Sequence, residues 1–275
     1  METRQLSPIG VEILDVEIQV LLEAEPVPSE ILDLLEHNGV VLFRRLGLDD
    51  EQLVMFARRL GATLTKTTKG WDPTFPELFT ISMDPEMIAG AYMKSTFEWH
   101  IDGTSLETPQ KASLLTARTL SDSRSDTQFA STYAAYEELT EEEKARFDGL
   151  KVWHDLEATH RRFDPDPSPE MLERLRAQPA VLQPLVWTHR SGRKSLVIGT
   201  PASRIEGMPE DESVAILADL LKRATEPAKM YSHEWEVGDL AIWDNRGVLH
   251  RAMPYGEDSG REMKRVTLVG DEPIK

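Results

Sequence analysis

Apolar and polar positions follow two rhythms along this chain. Near the start, VPSEILDLLEHNG carries apolar side chains at helical spacing and ends at Asn38-Gly39, a pair suited to a left-handed stop. The apolar run GVVLFR follows as a short buried strand, and LDDEQLVMFARRLG then returns to helical spacing. Asp49 and Gln52 predict a capping box at the start of that helix, and Gly61 its end. The opening third therefore reads helix, strand, helix.

Farther along, the pattern becomes short apolar strands separated by turns: ELFTIS, KASLLTAR, PLVWTH, SLVIG, DLAIW, GVLHRA and RVTLVG. Such segments among a few helices predict a mainly β architecture, an antiparallel sandwich or barrel with helices outside it. LTEEEKARFDGL offers Thr140 and Glu143 as a second capping box, and ESVAILADLLKRA has a clear apolar stripe. Between them, THRRFDPDPSPEMLERLRAQP is rich in proline and charge, with Ser168-Pro169 as a cap and first-turn proline. Residues 155–182 are read as a lid insertion. With no internal repeat and no long linker, residues 1–275 are expected to form a single domain.

Composition narrows the chemistry. A formal net charge of −17 repels nucleic acid and anionic membrane, so neither is an expected partner, and a local basic cluster becomes informative. There is no cysteine, which excludes disulfides, a thiolate nucleophile and sulfur-ligated metal. The start METRQLSPIGVEI lacks a basic-then-apolar leader, and no apolar run reaches membrane-spanning length, so a cytoplasmic location is expected.

The segment FEWHIDGTSLETP sets His100 and Asp102 two positions apart, where an extended backbone points both to one side. That pair carries weight only with a third ligand. Two imidazoles and one carboxylate leave open positions on an octahedral iron(II). His250, in AIWDNRGVLHRAMPY, is the strongest candidate, because DLAIW and GVLHRA read as two strands joined by a turn at Asp244-Asn245-Arg246-Gly247. His37, His154, His160, His189 and His233 are weaker candidates, lying at a helix end, beside the lid or in polar stretches.

Taken in order, GVVLFRRLGLDDEQLVMFARRLG, WHIDGTSLETP, HRSGRKSLVIGTPASRIEGM, GDLAIWDNRGVLHRA and GREMKRVTLVGD bring a family into view. The chain resembles the taurine dioxygenase and 2,4-dichlorophenoxyacetate dioxygenase family of iron(II)- and 2-oxoglutarate-dependent oxygenases over nearly its whole length. The resemblance implies a double-stranded β-helix, a cupin-like jelly roll with iron at its mouth, held by His100, Asp102 and His250. It implies Fe(II) as the metal, 2-oxoglutarate and O2 as co-substrates, and a small, anionic organic substrate. Homo-oligomers are common among such enzymes, although no interface can be read here. The resemblance also implies that Thr127 and Arg261 hold the far carboxylate of 2-oxoglutarate. Physical chemistry agrees, since a dicarboxylate chelating metal at one end needs a cation at the other.

Arg265 lies four positions beyond Arg261 and so faces the same side of a strand, where family members bind the acid group of anionic substrates. Lys66 and Lys69 stand where taurine enzymes carry a histidine and a tyrosine, which argues against taurine. Lys66 and Lys94 resemble the lysines that help bind phenoxyacetate. Trp71, Phe75, Tyr92, Met93 and Phe97 are candidates for an apolar pocket wall. Retention of the Asp102 carboxylate disfavours halogenation. Two alternatives use the same residues: a zinc-dependent hydrolase, and a catalytically silent barrel that binds a small acid.

Overall fold

One mixed sheet has a face turned toward helices and a face turned toward the candidate site. The computed structural model describes residues 1–84, 90–120, 125–256 and 259–275, leaving aside the side chains of residues 90–92. The chain opens with β1 (Thr3–Gln5), β2 (Val11–Ile13), α1 (Ile18–Glu23), α2 (Val27–Asn38), β3 (Val40–Phe43) and α3 (Asp50–Leu60). It continues through β4 (Leu78–Ser82), α4 (Gly90–Ser95), β5 (Ala112–Thr119), β6 (Thr127–Ser131), α5 (Thr132–Glu137) and α6 (Glu141–Phe147). Next come β7 (Lys151–His154), α7 (Leu156–Arg161), α8 (Pro169–Arg176), β8 (Val181–Pro184), β9 (Val186–Thr188), β10 (Lys194–Leu196) and β11 (Ala202–Ile205). The last elements are α9 (Glu210–Ala224), β12 (Met230–His233), β13 (Leu240–Asp244), β14 (Val248–Ala252) and β15 (Glu262–Leu268).

The helix, strand, helix pattern read near the start is α2, β3 and α3, with β1, β2 and α1 preceding it. Both capping boxes form: Asp49 and Gln52 open α3, and Thr140 and Glu143 open α6. Gly39 ends α2 at a φ of 74°, a left-handed position where a side chain would also strike Val248. Each of the seven apolar runs overlaps a strand.

The major sheet has the order β1-β2-β3-β13-β5-β15-β4, and a three-stranded sheet β12-β6-β14 lies against it. Together they form the jelly roll, a double-stranded β-helix. Period-2 alternation divides the major sheet's side chains between two cores. Val41, Leu114, Ile242 and Val266 pack outward against Ile31 and Leu35 of α2 and Leu53 and Phe56 of α3. Leu42, Leu115, Trp243 and Met263 point inward and meet Phe129 of β6. Truncating a fully buried ring such as Phe56 to alanine is worth about 3–5 kcal/mol.

β13 and β14 are consecutive, yet they do not pair with each other. β13 lies between β3 and β5, while β14 pairs with β6. The turn through Asn245, Arg246 and Gly247 therefore carries the chain around the corner from one sheet to the other. Gly247 is required there because a Cβ would lie 2.1 Å from the Tyr133 ring.

The segment 155–182 is a two-helix excursion between β7 and β8, with Ser168 capping α8 and its last two residues already in β8. Glu157 ties the helices together by accepting from Arg161 at 2.9 Å and Arg176 at 2.6 Å. Among the described residues no helix is long and apolar enough to cross a membrane.

Candidate metal centre

His100 and His250 are joined through the backbone before their rings meet. Each donates its N–H to the other's carbonyl, at 3.1 and 2.9 Å, in a single antiparallel bridge. Residues so paired project side chains to one face, and the two imidazole centroids lie 4.3 Å apart. His100 Nδ1 sits 2.7 Å from the Glu98 carbonyl, which leaves Nε2 as the ring nitrogen that could ligate a metal.

Asp102 arrives differently from the sequence expectation. Only His100 occupies a bridged, extended position, whereas residues 102–105 form a turn. The carboxylate is brought round by this turn rather than by strand alternation. Gln183 pins the turn by donating to the Thr104 and Leu106 carbonyls at 3.1 and 2.7 Å. Gly103, at a φ of 82°, permits it, since a Cβ there would lie 1.9 Å from Gln110 Oε1. Asp102 then stands 3.7 Å from the Nε2 atoms of both histidines.

One ligand atom from each of His100, Asp102 and His250 lies within 4.8 Å of the others. Burial, reinforced by the neighbouring His100 and opposed by Asp102, pushes His250 down to about 3. For Asp102, burial acts upward but is outweighed by His250, Arg265, His100 and a hydrogen bond from Ser113, which hold it at about 2. A neutral imidazole beside an ionised carboxylate is the donor set a divalent first-row metal needs, so these residues fit iron(II).

A small pocket opens beside the two histidines, with Thr127, Trp243, Arg261 and Arg265 in its wall. Thr127 faces inward because β6 pairs it with Ala252, two residues beyond His250 on the same face of β14. Trp235 Nε1 donates to Thr127 Oγ1 at 3.0 Å, so the hydroxyl hydrogen stays available to a pocket anion. Arg261 is only 2% exposed and lies 4.6 Å from the centre of the Tyr255 ring. Burial, countered by Tyr255, lowers its pKa from the ordinary value. Among the described residues no carboxylate pairs with it. Arg265 points into the same pocket, 3.7 Å from Asp102 and 5.3 Å from the Phe79 ring centre.

Lys66 and Lys94 are not brought to this pocket. Both are exposed, Lys66 in the loop after α3 with its amine 6.0 Å from the Trp71 ring, and Lys94 on α4. Sequence position relative to a motif fixed neither side-chain direction nor burial. The aromatic candidates also differ from expectation. Trp71 packs against Phe79 with the rings tilted, Phe75 packs toward the α3 core, Met93 is fully buried and Phe97 packs on Tyr255. The side chain of Tyr92 lies outside the described residues. Trp235, Tyr255, Ser113 and Asn245 were not anticipated. The signals for the last two were a lone serine in the apolar strand KASLLTAR and a polar WDNR turn upstream of His250.

Fold and site together define a non-haem iron, 2-oxoglutarate-dependent dioxygenase of jelly-roll architecture. The family described as "Taurine catabolism dioxygenase TauD, TfdA family" matches residues 2–267, and the chain belongs to it. Its metal is Fe(II), its co-substrates are 2-oxoglutarate and O2, and it acts on a small molecule. It is 34% identical to an alpha-ketoglutarate-dependent 2,4-dichlorophenoxyacetate dioxygenase of Burkholderia sp. (strain RASC), over 98% of this chain and 95% of that one. It is 33% identical to an alpha-ketoglutarate-dependent sulfate ester dioxygenase of Pseudomonas putida, over 97% and 88% of the two chains. Among solved structures, AAD-2 in complex with Mn(II) and N-oxalylglycine superposes with a TM-score of 0.83 at 28% identity, covering 100% of both chains.

Proposed function

We propose that His100, Asp102 and His250 hold the iron, that Thr127 and Arg261 hold the far carboxylate of 2-oxoglutarate, and that Arg265 receives the acid group of a small anionic substrate. The observation that carries this reading is Arg261. A guanidinium 2% exposed, beside a threonine hydroxyl and without a carboxylate partner among the described residues, calls for a buried anion. A dicarboxylate chelating metal beside the histidines would supply it.

When bound, iron with 2-oxoglutarate and O2 supplies the oxidant for a substrate C–H bond, with succinate and CO2 released. The protein's share is placement and charge. Arg261 and Thr127 fix one end of 2-oxoglutarate by charge-assisted hydrogen bonds. Arg265 holds the substrate's anionic end on the same wall, which orients its carbon skeleton toward the ligand face. Relatives named for 2,4-dichlorophenoxyacetate and for sulfate esters support an anionic carboxylate or sulfate ester, hydroxylated or oxidatively cleaved. Lys66 and Lys94, both exposed, are left out of this reading.

The same reading takes residues 1–275 as one cytoplasmic dioxygenase domain without nucleic-acid or membrane partners, in keeping with its net charge of −17. Residues 155–182 act as its lid insertion, and α8, which buries no side chain, can shift at small cost.

The test is an anaerobic absorbance titration with iron(II) and then 2-oxoglutarate, following the visible charge-transfer band of the bidentate chelate. The band should appear in the native protein and weaken in Arg261→Ala. Tight zinc binding with no such band would overturn the reading.

A further inference from the structure

Behind Asp102 lies a chain of two polar side chains that the binding of iron, 2-oxoglutarate and substrate does not use. Ser113 and Asn245 are both wholly buried. Asn245 Nδ2 donates to Ser113 Oγ at 3.0 Å, and Ser113 Oγ donates to Asp102 Oδ2 at 3.0 Å. We infer that Asn245 and Ser113 form a relay that fixes the orientation of the Asp102 carboxylate and so sets how tightly the centre binds metal. The inference rests on the reading of Asp102 as a ligand.

Sheet register explains why these two residues meet. Ser113 of β5 is paired with Trp243 of β13, so both project to the inner face. Asn245, two positions beyond Trp243, continues that face, and its backbone N–H donates to the Lys111 carbonyl at 3.0 Å. The turn that carries the chain from β13 to β14 and His250 thus also delivers an amide behind the other ligand segment.

Direction follows from chemistry. An amide N–H can only donate, so Ser113 oxygen accepts from Asn245 and its own hydrogen is directed to Asp102. With the amide reversed, Ser113 would donate to Asn245 instead, leaving two oxygens facing each other across the contact with Asp102. With Ser113 and Asn245 wholly buried, that arrangement is costly. A hydroxyl oriented in this way selects one rotation of the carboxylate, as partners behind metal ligands do elsewhere.

Two inert explanations compete with the relay. Ser113 and Asn245 could be core polar groups satisfying one another, or Arg265, 3.7 Å from Asp102, could orient the carboxylate alone. The three predict different couplings. Mn(II) binding to the full-length protein is measured by calorimetry for the native chain, Asp102→Ala, Ser113→Ala, Asn245→Ala and the Ser113→Ala/Asn245→Ala double variant, with unfolding midpoints to verify folding.

Asp102→Ala should abolish tight binding, which tests the ligand assignment itself. Ser113→Ala should weaken Mn(II) binding about tenfold and Asn245→Ala by a smaller factor. The double variant should bind no worse than Ser113→Ala, because Asn245 acts only through the serine. If Ser113→Ala binds as the native protein does while Asp102→Ala does not, the ligand stands and the relay is overturned. Additive losses would likewise overturn it, in favour of separate structural effects. Unchanged binding by Asp102→Ala would overturn the ligand reading and the relay together. Should Ser113→Ala fail to fold, native-like Mn(II) binding by Asn245→Ala overturns the relay, and weakened binding supports it.

Discussion

His100 and His250, 150 positions apart in sequence, exchange both of their backbone hydrogen bonds, so the metal face is assembled by the main chain. Gly199 guards this bridge. Its φ is 125°, and a Cβ there would lie 3.1 Å from the Trp99 carbonyl oxygen and 3.2 Å from His100 Cα. Gly199→Ala should therefore displace His100, weakening Mn(II) binding roughly tenfold at a stability cost of about 1–3 kcal/mol. Calorimetry with Mn(II) checks it, and native-like affinity in a folded variant would refute the steric argument.

If Arg261 holds the far carboxylate as proposed, Arg261→Ala removes a charge-assisted bond to 2-oxoglutarate. The expected loss is about 1.5–3 kcal/mol, or roughly 10- to 150-fold in affinity, with metal binding unchanged. Trp235→Phe should weaken 2-oxoglutarate by a smaller factor, because Thr127 then keeps its hydroxyl but loses the donor that orients it. Separate titrations of Mn(II) and 2-oxoglutarate distinguish these effects.

Arg265 should divide differently. Arg265→Met is expected to raise KM for an anionic substrate by tenfold or more while the affinity for 2-oxoglutarate stays near that of the native protein. A neutral ester or amide of the same substrate should lose little on this substitution. Equal losses for the charged and neutral substrates would contradict the assignment.

Acid should destabilise the fold through buried histidines away from the metal. Burial pushes His154 down to about 3 from an ordinary 6.5. Burial, then the charge of Arg246, pushes His189 down to about 4 from the same value. Below their ordinary pKa the unfolded chain takes up protons that the folded chain refuses. The stabilising contribution is therefore complete above about pH 6.5 and falls as pH drops toward 4, by about 1.4 kcal/mol per pH unit for each group. Urea midpoints at pH 7.5 and 5.0 measure this slope, and His154→Leu should flatten it. An unchanged slope in that variant would exclude His154.

Arg246 holds the corner between the sheets. It donates from its backbone and Nε to Asp244 Oδ1 at 3.0 and 2.8 Å, from Nη2 to Asp244 Oδ2 at 3.2 Å, and pairs with Glu36 of α2. Asp244 is wholly buried, so Arg246→Met leaves a carboxylate without its cation, and a loss of about 3–5 kcal/mol is expected from urea unfolding. Arg246→Lys should recover only part of it, because an ammonium cannot reproduce the guanidinium fork.

Local chemistry was enough for the sequence to determine a good deal of this protein. The boxes at Asp49/Gln52 and Thr140/Glu143, the Gly39 stop and the seven apolar strands depend on neighbours within a few residues, and all were legible. β6 was not, because TQFAS is polar and becomes a strand only between β12 and β14. The set His100, Asp102 and His250 was legible as chemistry and motif, and the structure brings all three together.

Tertiary structure decided the rest. That Asp102 reaches the centre by a turn, that β13 and β14 enter opposite sheets, and that Lys66 and Lys94 face solvent all depend on contacts between distant segments. The same holds for Asn245 and Ser113, ordinary polar residues in the chain until the register of β5 on β13 buries them behind Asp102. Burial and direction are properties of the packed sheets, and a side chain's identity carries neither until those sheets form.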